Sequence, residues 1–223
     1  MRMYKLMTLA AVCALWIPAN ASATTWEMDA AHSGIEFSVR HMMVSTVKGR
    51  FEKVKGTVEL DEKEVAKSTV EVTIDLSSVN TNEPKRDGHL KSPDFFDVAK
   101  FPTATFKSTK VQKVGKNKLK VTGELSLHGV SKPIVLDVEG PTDPFKTPFG
   151  TTVRGVHATG KIDRKDFEIG WNKVLDNGGV VVGNEVTLEL NAELVEKVAA
   201  PSAPAVQTAP AAKPAAPATK PAK

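Results

Sequence analysis

Apolar and polar residues alternate in short runs along most of this chain. Val70, Val72, Ile74 and Leu76 alternate with Glu71, Thr73 and Asp75. Leu119, Val121, Leu125 and Leu127 are set against Lys120, Thr122, Glu124 and Ser126. Val186, Leu188, Leu190, Ala192 and Leu194 are set against Thr187, Glu189, Asn191 and Glu193. Side chains on a strand point to opposite faces in turn, so period two predicts strands with one apolar and one solvated face. Weaker alternation over 34–41, 49–60, 103–112, 132–140 and 152–162 predicts further strands. Gly115-Lys116-Asn117 predicts a hairpin, and Asn177-Gly178-Gly179 a loop. Strands with one wet face suit antiparallel pairing. With about eight of them in one domain, the all-β solutions are a sandwich or a closed barrel.

One stretch breaks the alternation: KRDGHLKSPDFFDVAKFP, residues 85–102. Ser92-Pro93-Asp94 offers an N-cap, a proline at the first helical position and an acid in the first turn. Pro102 disfavours helix at Phe101, so the predicted helix is short. A second brief turn starts at Asn82-Glu83-Pro84 and is weakened by Gly88. Residues 82–101 thus form a short helical excursion between two strands. An insertion of that length either carries function or covers something. On a helix the adjacent Phe95 and Phe96 point about 100° apart, so either both are core plug residues or one ring anchors while the other faces a cavity. Arg86 and Asp87 are expected to pair with each other, or Arg86 to meet a polar head group. His89 reads as a hydrogen-bonded loop residue.

The two ends of the chain alter the charge picture. Arg2 and Lys5 precede an apolar run from Leu6 to Ile17, then Pro18 and Ala21-Ser22-Ala23. This is the layout of a signal peptide cut after Ala23, and the apolar run is shorter than the ~20 residues that span a bilayer. Residues 1–23 are therefore an expected leader, 24–198 the domain, and 199–223 a tail of Ala, Pro and Lys. The tail lacks the apolar residues to offset its ordering entropy and reads as a disordered spacer. Its Lys213, Lys220 and Lys223 allow at most a weak contact with an anionic envelope surface. The formal net charge of +4 comes from these ends, since without Arg2, Lys5 and the three tail lysines one acid is left in excess. Nucleic acid is accordingly not an expected partner. The single cysteine, Cys13, lies in the leader, so the domain has no disulfide, thiol nucleophile or Cys-ligated metal.

Candidate chemistry is sparse. His32, His41, His128 and His157 are scattered without metal-ligand spacing, so no metal site is expected. Ser33, Ser126 and Ser131 have no nucleophile-elbow setting, and no carboxylate pair is marked for acid–base work. No catalytic residue and no cofactor are assigned.

Five blocks, in order, give the chain a family resemblance. They are Trp26-Glu27-Met28-Asp29 with His32-Ser33, FSVRHMMVSTVKGRF at 37–51, RDGHLKSPDFFDVAKFP at 86–102, GELSLHGVSKP at 123–133 and DRKDFEIGWN at 163–172. Over about residues 25–196 the chain resembles the YceI family of exported, lipocalin-like, polyisoprenoid-binding proteins. Asp163 stands where that family usually has Asn, and Glu168 where it usually has Gly. The resemblance implies an all-β fold, an eight-stranded antiparallel lipocalin-like barrel, in the periplasm. It also implies an exported binding protein that holds a long-chain amphiphilic lipid (a polyisoprenoid, quinone-like lipid or fatty amide) in an apolar cavity, for transport, storage or stress protection. The candidate ligand-binding residues are then Phe37, Val39, His41, Arg86, His89, Phe95, Phe96, Phe106 and Trp171. Trp171, like Trp26, reads first as a packing residue. The other readings are an enzyme acting on a lipid-like substrate at the barrel mouth and a structural periplasmic module. The oligomeric state, a homodimer included, is left open.

Overall fold

The computed structural model describes residues 23–197. The expected leader (apart from Ala23) and the Ala/Pro/Lys-rich tail lie outside the described residues. The strands are β1 (Thr24–Met28), β2 (Gly34–His41), β3 (Ser45–Phe51), β4 (Val54–Leu60), β5 (Thr69–Asp75), β6 (Val79–Asn80), β7 (Thr103–Gly115), β8 (Lys118–Leu127), β9 (Val130–Glu139), β10 (Phe145–Lys146), β11 (Thr152–Asp163) and β12 (Val182–Glu196). One helix, α1 (Pro84–Lys91), interrupts them.

Register turns these segments into fewer strand lines. One edge of β12 pairs with β1 at Met28–Leu194, then with β2 from Gly34–Asn191 to His41–Val182. So β1 and β2 are a single line, broken at 29–33. β3 and β4 make a second, and β5 and β6 a third. At the second break Lys53 N–H donates to Ser78 Oγ at 3.0 Å, and Asp75 N–H to Lys53 O at 2.9 Å, so neighbouring lines bend together. Eight antiparallel lines result, and the β11–β12 ladder closes the ring. This is the expected barrel. β10 is an extra outer strand on β11.

The alternating runs lie where they were expected, with one correction: 49–60 is two strands, parted at Glu52-Lys53. The Gly115–Asn117 hairpin joins β7 to β8, with Asn117 in the left-handed region at φ 52°. Trp26 is fully buried, as a packing residue should be, against Leu60, Ala192 and Leu194. Arg154 lies over its ring at 4.9 Å and pairs with Glu62, tying the β4–β5 connection to β11 at this end of the barrel.

The helix lies inside the expected excursion, at its Asn82-Glu83-Pro84 signal and not at the favoured Ser92-Pro93-Asp94. It spans Pro84–Lys91, and residues 92–101 are turns. Glu83 caps it, its side chain accepting from the N–H groups of Lys85 and Arg86, and Pro84 opens the first turn. Ser92-Pro93 ends the helix rather than starting one. A residue before proline is pushed to extended geometry, and Ser92 sits at φ −76°, ψ 170°. The following N–H groups bond backward: Phe96 to Leu90 O, Asp97 to Ser92 O and Val98 to Lys91 O. Gly88 is tolerated inside the helix.

The 163–168 turn survives both departures from the family pattern. Asp163 caps it by accepting from Lys165 N–H, and Glu168 closes it at φ 60°, ψ 15°. That left-handed geometry is what a glycine adopts without strain.

Candidate functional site

The inward faces of the barrel enclose an apolar channel of about 390 Å³. β12 contributes Val186, Leu188, Leu190, Ala192 and Leu194 to its wall. Eight residue steps at ~3.4 Å on a strand tilted ~40° reach roughly 20 Å along the axis, so the channel is long and narrow. Val186, Leu188 and Leu190 point inward yet are only half-buried. The same holds for Val70, Leu119, Ile134, Leu136, Val156 and Ile162 from other lines. Aliphatic side chains of this size do not fill the ring.

Glycines keep the space open. Gly49 pairs with Phe37, and a Cβ on Gly49 would come within 2.4 Å of that ring. Phe106 lies over Gly123 with the same 2.4 Å approach, and Leu136 over its partner Gly160 at 2.6 Å. The larger inward side chains fold back onto wall positions that lack one, instead of crossing the lumen.

The excursion covers one end. Phe51 bridges Phe37 and Phe96, with ring centroids 5.6 and 5.8 Å apart. His89 stands edge-on to Phe95 and Trp171, 4.9 Å from each, and Phe95 lies 5.3 Å from Trp171. Its Nε2 meets Asp94 Oδ2 at 2.8 Å, which ties the helix to the turns after it. Phe95 is buried and Phe96 half-buried. They diverge as expected, but on a turn and not on a helix.

Arg86 and Asp87 do not pair with each other, contrary to the first expectation. Neighbours on a helix face different directions, and here both reach Thr81. Arg86 Nε donates to Thr81 Oγ1 and Nη2 to Thr81 O, each at 2.8 Å. Asp87 Oδ1 accepts from Thr81 N–H at 2.8 Å and Thr81 Oγ1 at 2.5 Å. The clamp fixes α1 to the end of β6.

All nine candidates, Phe37, Val39, His41, Arg86, His89, Phe95, Phe96, Phe106 and Trp171, lie on the channel wall or under its cover. Sequence reasoning missed Arg164. It is buried and donates to four backbone carbonyls: Ile169 at 2.6 Å, Gly183 and Trp171 at 2.9 Å, and Val182 at 3.4 Å. Burial pulls its pKa down, Asp163 opposes the shift, and the carbonyls solvate the cation. Arg164 thereby holds Trp171 against the start of β12. A strand-end arginine gives no sign of partners so scattered along the chain.

A second group was also missed. Asp29, His32 and Glu193 bring their ligand atoms within 4.8 Å on the outside of the barrel. Glu193 is remote in sequence, and spacing alone could not show the trio. His32 Nδ1 meets Asp29 Oδ2 at 2.7 Å, and this bond raises the histidine's pKa and lowers the carboxyl's.

Comparison with known proteins agrees with this architecture. The YceI-like domain family matches residues 26–194. A UPF0312 protein of Vibrio parahaemolyticus is 41% identical over 158 residues, 70% of this chain and 83% of that protein. The crystal structure of a Campylobacter jejuni YCEI protein superposes with a TM-score of 0.61 at 33% identity, covering 71% of this chain and 90% of that one. A polyisoprenoid binding domain from Saccharophagus degradans shares the fold, with a TM-score of 0.55 at 18% identity over 78% of this chain and 99% of that one. The barrel, its cover and the matched span together place this chain in the YceI family.

Proposed function

We propose that the protein is an exported carrier or store for a long-chain amphiphilic lipid, either a polyisoprenoid, a quinone-like lipid or a fatty amide. The observation that carries this reading is the unfilled channel, whose inward Val186, Leu188 and Leu190 stay half-buried in a closed ring. A linear apolar chain is the occupant that such a shape suits, at ~0.8 kcal/mol per buried CH₂. That a domain of the same fold is described as polyisoprenoid-binding supports the same class of ligand. In this reading Phe37, Val39 and Phe106 line the chain's path, His41, Arg86 and His89 stand near its head, and Phe95, Phe96 and Trp171 cover it. No reaction is assigned to any of them.

Purification from the envelope fraction without detergent, followed by native mass spectrometry and lipid extraction, tests the reading. The folded protein should carry a long-chain lipid, and the emptied protein should take up a polyprenyl quinone. Folded protein that arrives empty and takes up neither polyprenyl quinone, polyprenol nor fatty amide would refute it.

A further inference from the structure

The rim of the channel bears an apolar surface that holding a ligand does not require. The β2–β3 hairpin turns through Met42, Met43 and Val44, which are 43, 59 and 79% exposed. Val174, also 79% exposed, projects from the loop before β12. The two loops form one lip. Met42 N–H donates to Val181 O at 2.8 Å, and Met43 Cγ lies 3.3 Å from where a Cβ on Gly179 would be. The lip continues into the channel, because the neighbouring Arg40, His41, Val181 and Val182 are part of its wall.

Backbone geometry shows that the tip is not chosen for stability. Met42 and Met43 sit at φ 48° and 63°, in the left-handed region where an L side chain is strained. A hairpin turn of this kind favours Asn-Gly. Two bulky residues held there, with their side chains largely in solvent, spend stability without filling the core. Charge points the same way. Exposed Arg40, Lys48 and Lys173 flank the lip against two exposed acids, Asp176 and Glu185, of which Glu185 is paired with Lys161. The described residues as a whole have a slight excess of acid: five of the 30 Lys and Arg lie outside them, and none of the 26 Asp and Glu does.

We infer that this lip docks on the anionic headgroup surface of a lipid bilayer, so that a ligand chain passes between bilayer and channel without crossing water. Apolar tips ringed by cations match the two layers of such a surface, acyl boundary and headgroup. Flexible methionine side chains suit a partner that presents no fixed shape. The transfer role rests on the carrier reading, but the docking does not.

The test uses the full mature chain, a polyprenyl quinone as probe, and vesicles of phosphatidylcholine with or without phosphatidylglycerol. The protein should float with the phosphatidylglycerol vesicles and less with phosphatidylcholine alone, and high salt should weaken the association. Probe transfer should speed up as vesicle concentration rises. Met43→Asp and Val174→Asp should lower vesicle association by about tenfold, the order expected for a charge on an inserted face, while native mass spectrometry shows the probe still bound. Met42→Asn with Met43→Gly should raise the melting temperature and weaken association together. Phe149→Asp should change nothing. Phe149 is 94% exposed on the loop after β10, which register places at the other end of β12 from the lip. Probe binding without flotation, with transfer indifferent to vesicle concentration, overturns the lip and leaves the carrier reading standing. Failure to bind probe at all defeats the carrier reading, and flotation with its loss in the lip variants then decides the docking alone. A dimer, or a complex with another protein, that dissociates in the lip variants while flotation does not change overturns the bilayer in favour of that partner.

Discussion

Glu168 shows how a single residue can oppose the turn that it occupies. It sits exposed in the left-handed region, and its backbone alone closes the 163–168 turn. Glu168→Gly should therefore stabilise the protein, by roughly 0.4–1 kcal/mol when strain relief is set against the added freedom of the unfolded glycine. Chemical denaturation with an unchanged m-value checks this, and a loss of stability would mean that the Glu168 side chain has a stabilising partner. His32 offers a test with pH. Its hydrogen bond to Asp29, with Glu193 nearby, holds the folded pKa above the ordinary 6.5. A raised histidine pKa contributes stability below the unfolded value, and that contribution fades as pH climbs through the folded value. The group is exposed, so the effect on stability is small, but its titration is easily read. NMR should place the His32 midpoint above 6.5, and Asp29→Asn should bring it down. A midpoint unmoved by that change would show that the contact does not persist in solution.

At the scale of the element, the cover over residues 82–101 divides its work between two neighbouring rings. Both border the channel, but Phe95 is buried beside His89 and Trp171, whereas Phe96 is half-buried against Phe51. Phe95→Ala should cost about 3–5 kcal/mol, the range for a buried aromatic. Phe96→Ala should cost clearly less and instead shorten lipid retention, measured per folded molecule. Equal losses of stability with unchanged retention would make both rings a plug. This element was also the least legible in the sequence. Its presence, its Phe pair and a turn start at Asn82-Glu83-Pro84 can be read, but the stronger helix signal, Ser92-Pro93-Asp94, points one segment too late. Ser92-Pro93 is a helix start by composition and a helix stop by geometry, and only the backward hydrogen bonds to Leu90 and Lys91 decide between them. The Arg86–Thr81–Asp87 clamp was hidden for a related reason. Adjacent opposite charges suggest a pair, and the common partner lies in the preceding strand.

For the whole molecule, period two and its turn signals were enough to foresee antiparallel strands, and the block resemblance pointed to a ring of eight. That broken halves such as β3 and β4 lie on one strand line was not visible, although the apolar phase does slip at Glu52-Lys53, from Phe51 to Val54, Val58 and Leu60. An apolar cavity was expected, but the device that keeps it open, Phe37 lying over Gly49 and Phe106 over Gly123, was not legible. Such pairings belong to register, not to composition. That open lumen has a consequence for the lifetime of the protein. A barrel lined by half-buried aliphatics lacks part of the core that would normally hold it folded, and a lipid in the channel would supply it. Ligand that binds only the folded state stabilises it by mass action. Loaded molecules would then resist the proteases of the compartment, and empty ones would be degraded first. Under that coupling the amount of protein follows the supply of its cargo without any change in synthesis, and the barrel reports on lipid abundance by how long it survives.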